Sequence, residues 1–229
     1  MMKEIHEQPK AVRDTLASAI QDGQIQYDKL GLTPQELGDL NAVYIVGCGS
    51  AYHVGVTAQY VLEDLARIPV RVELASEFRY RTPLLPEKTL VIIISQSGET
   101  ADSLAALRQA KQYGASTLAI VNVVGSTIAR EADHVFYTLA GPEIAVATTK
   151  AYSTQLAASY VLAIALAKAR GTLTEEDAAR MIGELETLPD KISRVLDDKE
   201  RIQWFASKYA NAHDIFFIGR GIDYAISME

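Results

Sequence analysis

Val91-Ile92-Ile93-Ile94-Ser95-Gln96-Ser97-Gly98-Glu99-Thr100-Ala101-Asp102 is the stretch whose reading decides the fold. Its four consecutive β-branched residues suit a strand buried on both faces, as in parallel sheets. A hydroxyl-rich loop follows, and Leu104, Leu107, Ala110 and Lys111 then fall at helical spacing. The order is strand, tight turn, helix, with Gly98 supplying the sharp change of direction.

Such a junction binds anions. The first turn of a helix leaves backbone N–H groups unpaired at the positive end of the dipole, so a phosphate placed there meets donors already aimed at it. Ser95, Ser97 and Thr100 add three hydroxyls, and Gln96 an amide. A plainer reading stands beside this one: Ser97 or Thr100 caps the helix, and Glu99 in the first turn favours its dipole. Three hydroxyls and a glutamine exceed what a cap requires. The Gly-x-x-x-x-Gly-Lys pattern is absent and no lysine stands beside the loop, which favours a sugar monophosphate over a nucleoside triphosphate.

Working outward, Ala42 to Val46 forms a second apolar strand entering Gly47-Cys48-Gly49-Ser50, with a helix expected from about Ala51 to Arg67. A dinucleotide fingerprint needs a third glycine where Tyr52 stands, which argues against a nicotinamide or flavin site. His53, in the first turn of that helix, reads as structural. Pro69 to Leu74, Thr117 to Val121 and Val135 to Leu139 supply further strands. Strands and helices in this alternation imply a parallel sheet with helices on both faces and right-handed crossovers, with ligands beyond the carboxyl ends of the strands. The helix from about Ala151 to Ala169 is apolar nearly all round, so it is buried in this core or against a second copy. Lys150, just before it, can pair with Glu143 or approach a phosphate.

At the ends, residues 1 to about 40 read as helical and peripheral, with no chemistry assigned. A long helical region from Thr174 to about Ala210 is expected to break near Pro189. Asp214 to Ile218 then reads as a strand opening an internal repeat of residues 42 to 50, one that must borrow a sheet edge or fray.

Ser95 to Thr100, together with Ala75-Ser76-Glu77-Phe78-Arg79-Tyr80-Arg81, Gly47-Cys48-Gly49-Ser50, Val146-Ala147-Thr148-Thr149-Lys150 and Gly219-Arg220-Gly221, resembles the sugar isomerase (SIS) family. Within it the likeness is to the isomerase half of the glutamine–fructose-6-phosphate aminotransferases, or glucosamine-6-phosphate synthases, over essentially the whole chain. The resemblance implies an α/β fold: a three-layer α/β/α sandwich with a parallel, flavodoxin-like sheet plus peripheral helices. It divides the chain into an N-terminal helical segment (1–40), a first SIS subdomain (41–172), and a helical linker with the start of a second SIS subdomain (173–229). It implies a hexose 6-phosphate ligand, its phosphate on Ser95, Gln96, Ser97 and Thr100 and its sugar on Cys48, Gly49, Ser50, Val146 and Thr148. The family commonly has Cys-Gly-Thr-Ser, so Ala51 removes one donor, whereas Thr148 keeps the donor of a usual serine. Within Ser76 to Arg81, Phe78 and Tyr80 are read as packing and Arg79 and Arg81 as making surface pairs.

The family reaction adds ammonia to fructose 6-phosphate and moves a proton between C1 and C2, which needs a positioned base. The resemblance assigns that base to Glu229, the last residue, and places the ring-opening histidine and carbonyl-activating lysine beyond it. The glutaminase domain and the second SIS half are thus expected to be missing, leaving a chain that binds hexose 6-phosphate without turning it over. A homodimer is expected, with no cofactor and no metal ligand. Alternatives are another SIS enzyme, such as a deglycase or sugar-phosphate deaminase, and a non-catalytic sugar-phosphate sensor.

Composition sets outer bounds. A net charge of -7 and a pI near 5.2 argue against a nucleic-acid surface. The single Cys48 excludes an internal disulfide. The N-terminus carries no long apolar core of a signal peptide, and no apolar run reaches the roughly 20 residues of a membrane helix, so a cytoplasmic protein is expected.

Overall fold

The computed structural model describes residues 1–229. The chain opens with α1 (Met2–Ala19), a short hairpin of β1 (Ile20–Gln21) and β2 (Gln24–Ile25), and two short helices, α2 (Tyr27–Leu30) and α3 (Pro34–Gly38). The alternating body follows: β3 (Ala42–Gly47), α4 (Ser50–Ala66), β4 (Val70–Leu74), α5 (Ala75–Phe78), β5 (Thr89–Ser95), α6 (Ala101–Gln112), β6 (Ser116–Val121), α7 (Thr127–Glu131), β7 (His134–Tyr137) and α8 (Lys150–Ala169). The last part is helical: α9 (Glu175–Glu186), α10 (Leu188–Asp197), α11 (Lys199–Tyr209) and α12 (Ile222–Ser227).

The five long strands are all parallel, in the order β4-β3-β5-β6-β7. This is the flavodoxin order, and its switch point lies between β3 and β5, where the chain turns from one side of the sheet to the other. Alternate side chains of each strand enter different cores. Val43, Ile45, Leu90, Ile92 and Ile120 join the larger apolar cluster with α1, α4, α8 and α9. Tyr44, Val46, Val91, Ile93 and Val121 join the smaller one with α5, α6 and α7. Three layers result, as expected from the continuous apolar strands.

The all-round apolar character of α8 is used inside this chain. Ala157, Ala158 and Val161 to Ala167 are buried in the larger core, against α1, α4 and the sheet. Its burial therefore requires no second copy. The N-terminal segment is less peripheral than its reading: Val12, Leu16 and Ala19 of α1 enter the same core, and a hairpin interrupts the helices.

At the C-terminal end the expected break near Pro189 is present and a second one joins it, while the expected strand does not form. The helical region breaks at Thr187, beside Pro189 in the first turn of α10, and again at Asp198, where the backbone leaves helical geometry at ψ 27°. Asp214 to Ile218 forms no strand, and Ile215, Phe216, Phe217 and Ile218 are exposed. A strand needs a ladder beside it, and this segment runs along none of the five strands. It neither borrows an edge nor repeats β3. α12 instead docks on α4 and buries Ala225, which brings Glu229 back toward the sheet.

Candidate functional site

Two loops leave the carboxyl edge on either side of the switch point: Cys48-Gly49 between β3 and α4, and Gln96 to Thr100 between β5 and α6. Together with the start of α8 they enclose a polar cavity of about 170 Å³. Cys48, Ser50, Ser95, Gln96, Ser97, Thr100 and Thr148 of the expected set all line it. Gly49 and Val146 do not. Gly49 sits at the N-cap of α4 with φ 54°, and its carbonyl accepts the Tyr52 N–H at 2.9 Å, so its part is to shape the turn. Val146 is 103% exposed, on the loop above the opening. A larger apolar groove of about 630 Å³ between α4, α8 and α9 offers mostly hydrophobic walls, among them Tyr60, Ile164 and Met181, and does not suit an anion.

The hydroxyls of the β5–α6 loop divide by role. Ser95 is buried; its Oγ accepts the Gly98 N–H at 3.0 Å and lies 3.2 Å from Thr100 Oγ1. It holds the turn in shape. Ser97 Oγ accepts the Glu99 N–H at 3.2 Å and retains its own proton for a ligand. Thr100 is the N-cap residue of α6, but its side chain makes no cap bond, so the helix N-terminus keeps open donors, with the Thr100 hydroxyl, paired only with Ser95, beside them. The plainer capping reading therefore fails for Thr100. Glu99 also departs from its reading: it precedes α6, and its Oε1 accepts the Thr127 N–H of α7 at 2.7 Å, which holds its carboxyl below the usual carboxylate range.

The flanking Ser76 to Arg81 segment braces this loop. Phe78 is fully buried, and Arg79 Nη1 pairs with Asp102 Oδ1 in the first turn of α6 at 2.5 Å. Arg81 grips Glu73 through Nε and Nη2. Tyr80, read as packing, is exposed instead, with the Arg79 guanidinium over its ring.

Around the opening, the N-terminal helix does unexpected work. Ile144 N–H donates to Glu4 Oε1 at 2.6 Å and Ala145 N–H at 3.2 Å, pinning the loop that carries Thr148. Lys150, buried, donates to Glu7 Oε2 at 2.7 Å. The expected Lys150–Glu143 pair does not form, because Glu143 Oε1 is taken by the Thr149 N–H and hydroxyl.

Glu229 does not line the cavity but stands behind it. Ser50 Oγ donates to Glu229 Oε1 at 2.6 Å, and His53 Nδ1 lies 2.8 Å from Oε2. The carboxylate side chain is 22% exposed. His53, read as structural, thus faces the one carboxylate the resemblance singles out, and Ser50 bridges that carboxylate to the cavity. Two polar lining residues escaped the sequence reading: Ser103, whose Oγ lies 3.9 Å from Cys48 Sγ, and Gln155 of α8. A polar amide among the small and apolar residues of α8 was the signal for the second.

A profile of the SIS domain matches residues 36–165, more than half of the chain. This chain belongs to the SIS-domain family. Over its full length it is 55% identical to a glutamine–fructose-6-phosphate aminotransferase (isomerizing) of Caldanaerobacter subterraneus subsp. tengcongensis and 53% identical to one of Clostridium acetobutylicum. It spans 38% of the length of each. Among solved structures it overlays the C-terminal domain of glucosamine-fructose-6-phosphate aminotransferase from Francisella tularensis with a TM-score of 0.95 and 38% identity, covering 99% of this chain and 64% of that one. The SIS fold also relates it to a glucosamine-6-phosphate deaminase of Thermotoga maritima, at TM-score 0.63 and 24% identity, over 80% of this chain and 52% of that one. Within the matched residues, 42–100 carry both loops of the cavity and α8 carries its third wall. No helix of the chain is long and apolar enough to cross a membrane.

Proposed function

We propose that this SIS domain binds a hexose 6-phosphate as the sugar-holding part of an aminotransferase that makes glucosamine 6-phosphate from fructose 6-phosphate and glutamine-derived ammonia. One observation carries the reading: the cavity at the switch point places the Ser97 and Thr100 hydroxyls beside the uncapped N-terminus of α6. A phosphate there accepts from backbone N–H groups and hydroxyls together, without a cation. Cys48, Ser50 and Thr148 then face the sugar. The names of the relatives supply the ketose.

No lysine, histidine, aspartate or glutamate lines the cavity, and Glu229 is engaged by Ser50 and His53. The chain therefore binds without turnover, and ammonia production and ring opening belong to other parts of such an enzyme. The same lack of an acid or base in the cavity favours, as a second reading, a sugar-phosphate sensor.

Calorimetry with fructose 6-phosphate tests the proposal. Ser97→Ala and Thr100→Ala each remove a hydroxyl bond to a charged group, worth about 1.5 to 3 kcal/mol, so each should weaken binding roughly tenfold or more. Wild-type affinity in both variants would refute the phosphate assignment. Glucosamine 6-phosphate formed from fructose 6-phosphate and ammonium by this chain would refute binding without turnover.

A further inference from the structure

We infer that Gln155 is a specificity residue of the sugar site, accepting a hydrogen bond from a hydroxyl of the hexose rather than touching its phosphate. The inference rests on the hexose-phosphate reading and adds a contact that neither the motifs nor the family likeness assigned.

Gln155 lies on α8, 2% exposed, and lines the cavity with Ser97, Thr100 and Thr148. Its Oε1 is buried and has no hydrogen-bond partner. Of the other buried polar groups of the same helix, Thr154 Oγ1 donates to the Ala151 carbonyl at 3.0 Å, Ser159 Oγ to the Gln155 carbonyl at 2.8 Å, and Lys150 to Glu7, while the Tyr152 hydroxyl, which does not line the cavity, is also unpaired. Buried acceptors are almost always paired, and an orphan lowers stability until something donates to it. Gln155 lines the cavity, and the inferred donor is a hydroxyl of the sugar bound there.

The chemistry of the acceptor selects the group. Phosphate oxygens accept and carry negative charge, so a carbonyl oxygen repels them; a sugar O–H donates. The phosphate is already provided for at Ser97 and Thr100, beside the N-terminus of α6. An amide built to receive a hydroxyl rejects analogues that lack one, because the acceptor is then left unpaired.

The test compares fructose 6-phosphate with inorganic phosphate by calorimetry, on wild type, Ser97→Ala and Gln155→Met, with thermal unfolding of each. Methionine keeps the length of glutamine and removes the acceptor. Gln155→Met should bind fructose 6-phosphate about tenfold more weakly, bind inorganic phosphate unchanged, and melt no lower than wild type, since an orphaned buried polar atom is gone. Ser97→Ala should weaken both ligands. Undiminished fructose 6-phosphate binding by Gln155→Met, a parallel loss of inorganic phosphate, or a lowered melting temperature overturns the inference alone. Misfolding of both Gln155→Met and Gln155→Leu makes the residue structural and overturns it equally. Wild type without affinity for fructose 6-phosphate fails the hexose-phosphate reading itself, and the inference falls with it.

Discussion

Gly98→Ala should abolish sugar-phosphate binding and lower the melting temperature by several degrees. Gly98 has φ 66°, a left-handed conformation that costs an L-residue roughly 1 to 2 kcal/mol. A Cβ there would stand 2.0 Å from Ser126 Oγ and 2.5 Å from Ser126 Cβ, against a buried residue at the N-cap of α7. Such overpacking typically costs about 1 to 3 kcal/mol more. The loop cannot swing aside freely, because the Gly98 N–H donates to Ser95 Oγ and its carbonyl accepts the Ile128 N–H at 3.0 Å. Relief must break one of these, and either break displaces Ser97 and Thr100 from the helix end. At about 2 to 4 °C per kcal/mol for a chain of this size, the loss is readily measured by calorimetric unfolding. A second-site change separates the two causes. Ser126 Oγ has no partner, so Ser126→Gly removes the clash while costing no hydrogen bond, and the double variant should recover part of the melting temperature. A single variant that melts and binds like wild type would show that the turn is not held this tightly.

The same packing explains what was legible beforehand. Val91 to Ile94 reads as a doubly buried strand because every one of its side chains meets a helix layer, on one face or the other, so the apolar run has no gap to hide it. The two loops at the switch point follow from that strand and from Ala42 to Val46, since ligand loops in an open parallel sheet leave the carboxyl edge. Seven of the ten residues singled out by motif or likeness meet in one cavity as a result.

What stayed illegible depends on distant partners. Glu99 looks like a first-turn acid of α6, yet Thr127, 28 residues on, claims its carboxylate. Lys150 looks like a partner of Glu143 seven positions away, but α1 brings Glu7 across 143 residues instead. Asp214 to Ile218 is as apolar as β3 and yet pairs with no strand, because composition proposes a strand and only a neighbouring edge makes one. Gln155 was hidden in a helix whose apolar pattern drew attention to its packing; its oxygen matters only once the surrounding walls are known.

Replacing Glu7 should destabilise the fold far more than replacing its partner Lys150. The Lys150 side chain is 4% exposed, while 35% of the Glu7 side chain remains in solvent. Glu7→Gln leaves an ammonium buried without a counter-charge, the costly way to break a buried pair, whereas Lys150→Met leaves a carboxylate that water can reach. The first variant should lose several degrees of melting temperature and the second clearly less. The double variant should recover part of the loss, since no buried charge remains. Acid should act on the same clamp. The Met1 ammonium at 2.8 Å and the Ile144 N–H pull the Glu4 carboxyl down to about 2, and Lys150 lowers Glu7. Both unfold to ordinary carboxylates near 4.5. Because the folded state holds these protons more weakly, the stabilisation is complete above pH 4.5 and is lost as pH falls from there toward the depressed folded values, for Glu4 about 2. Glu4→Gln and Glu7→Gln should therefore flatten the fall of melting temperature across that window, while leaving its shape above pH 5 unchanged. Equal losses from the two single changes at Glu7 and Lys150, or an acid limb as steep in Glu4→Gln as in wild type, would mean that α1 merely leans on the Thr148 loop rather than holding it.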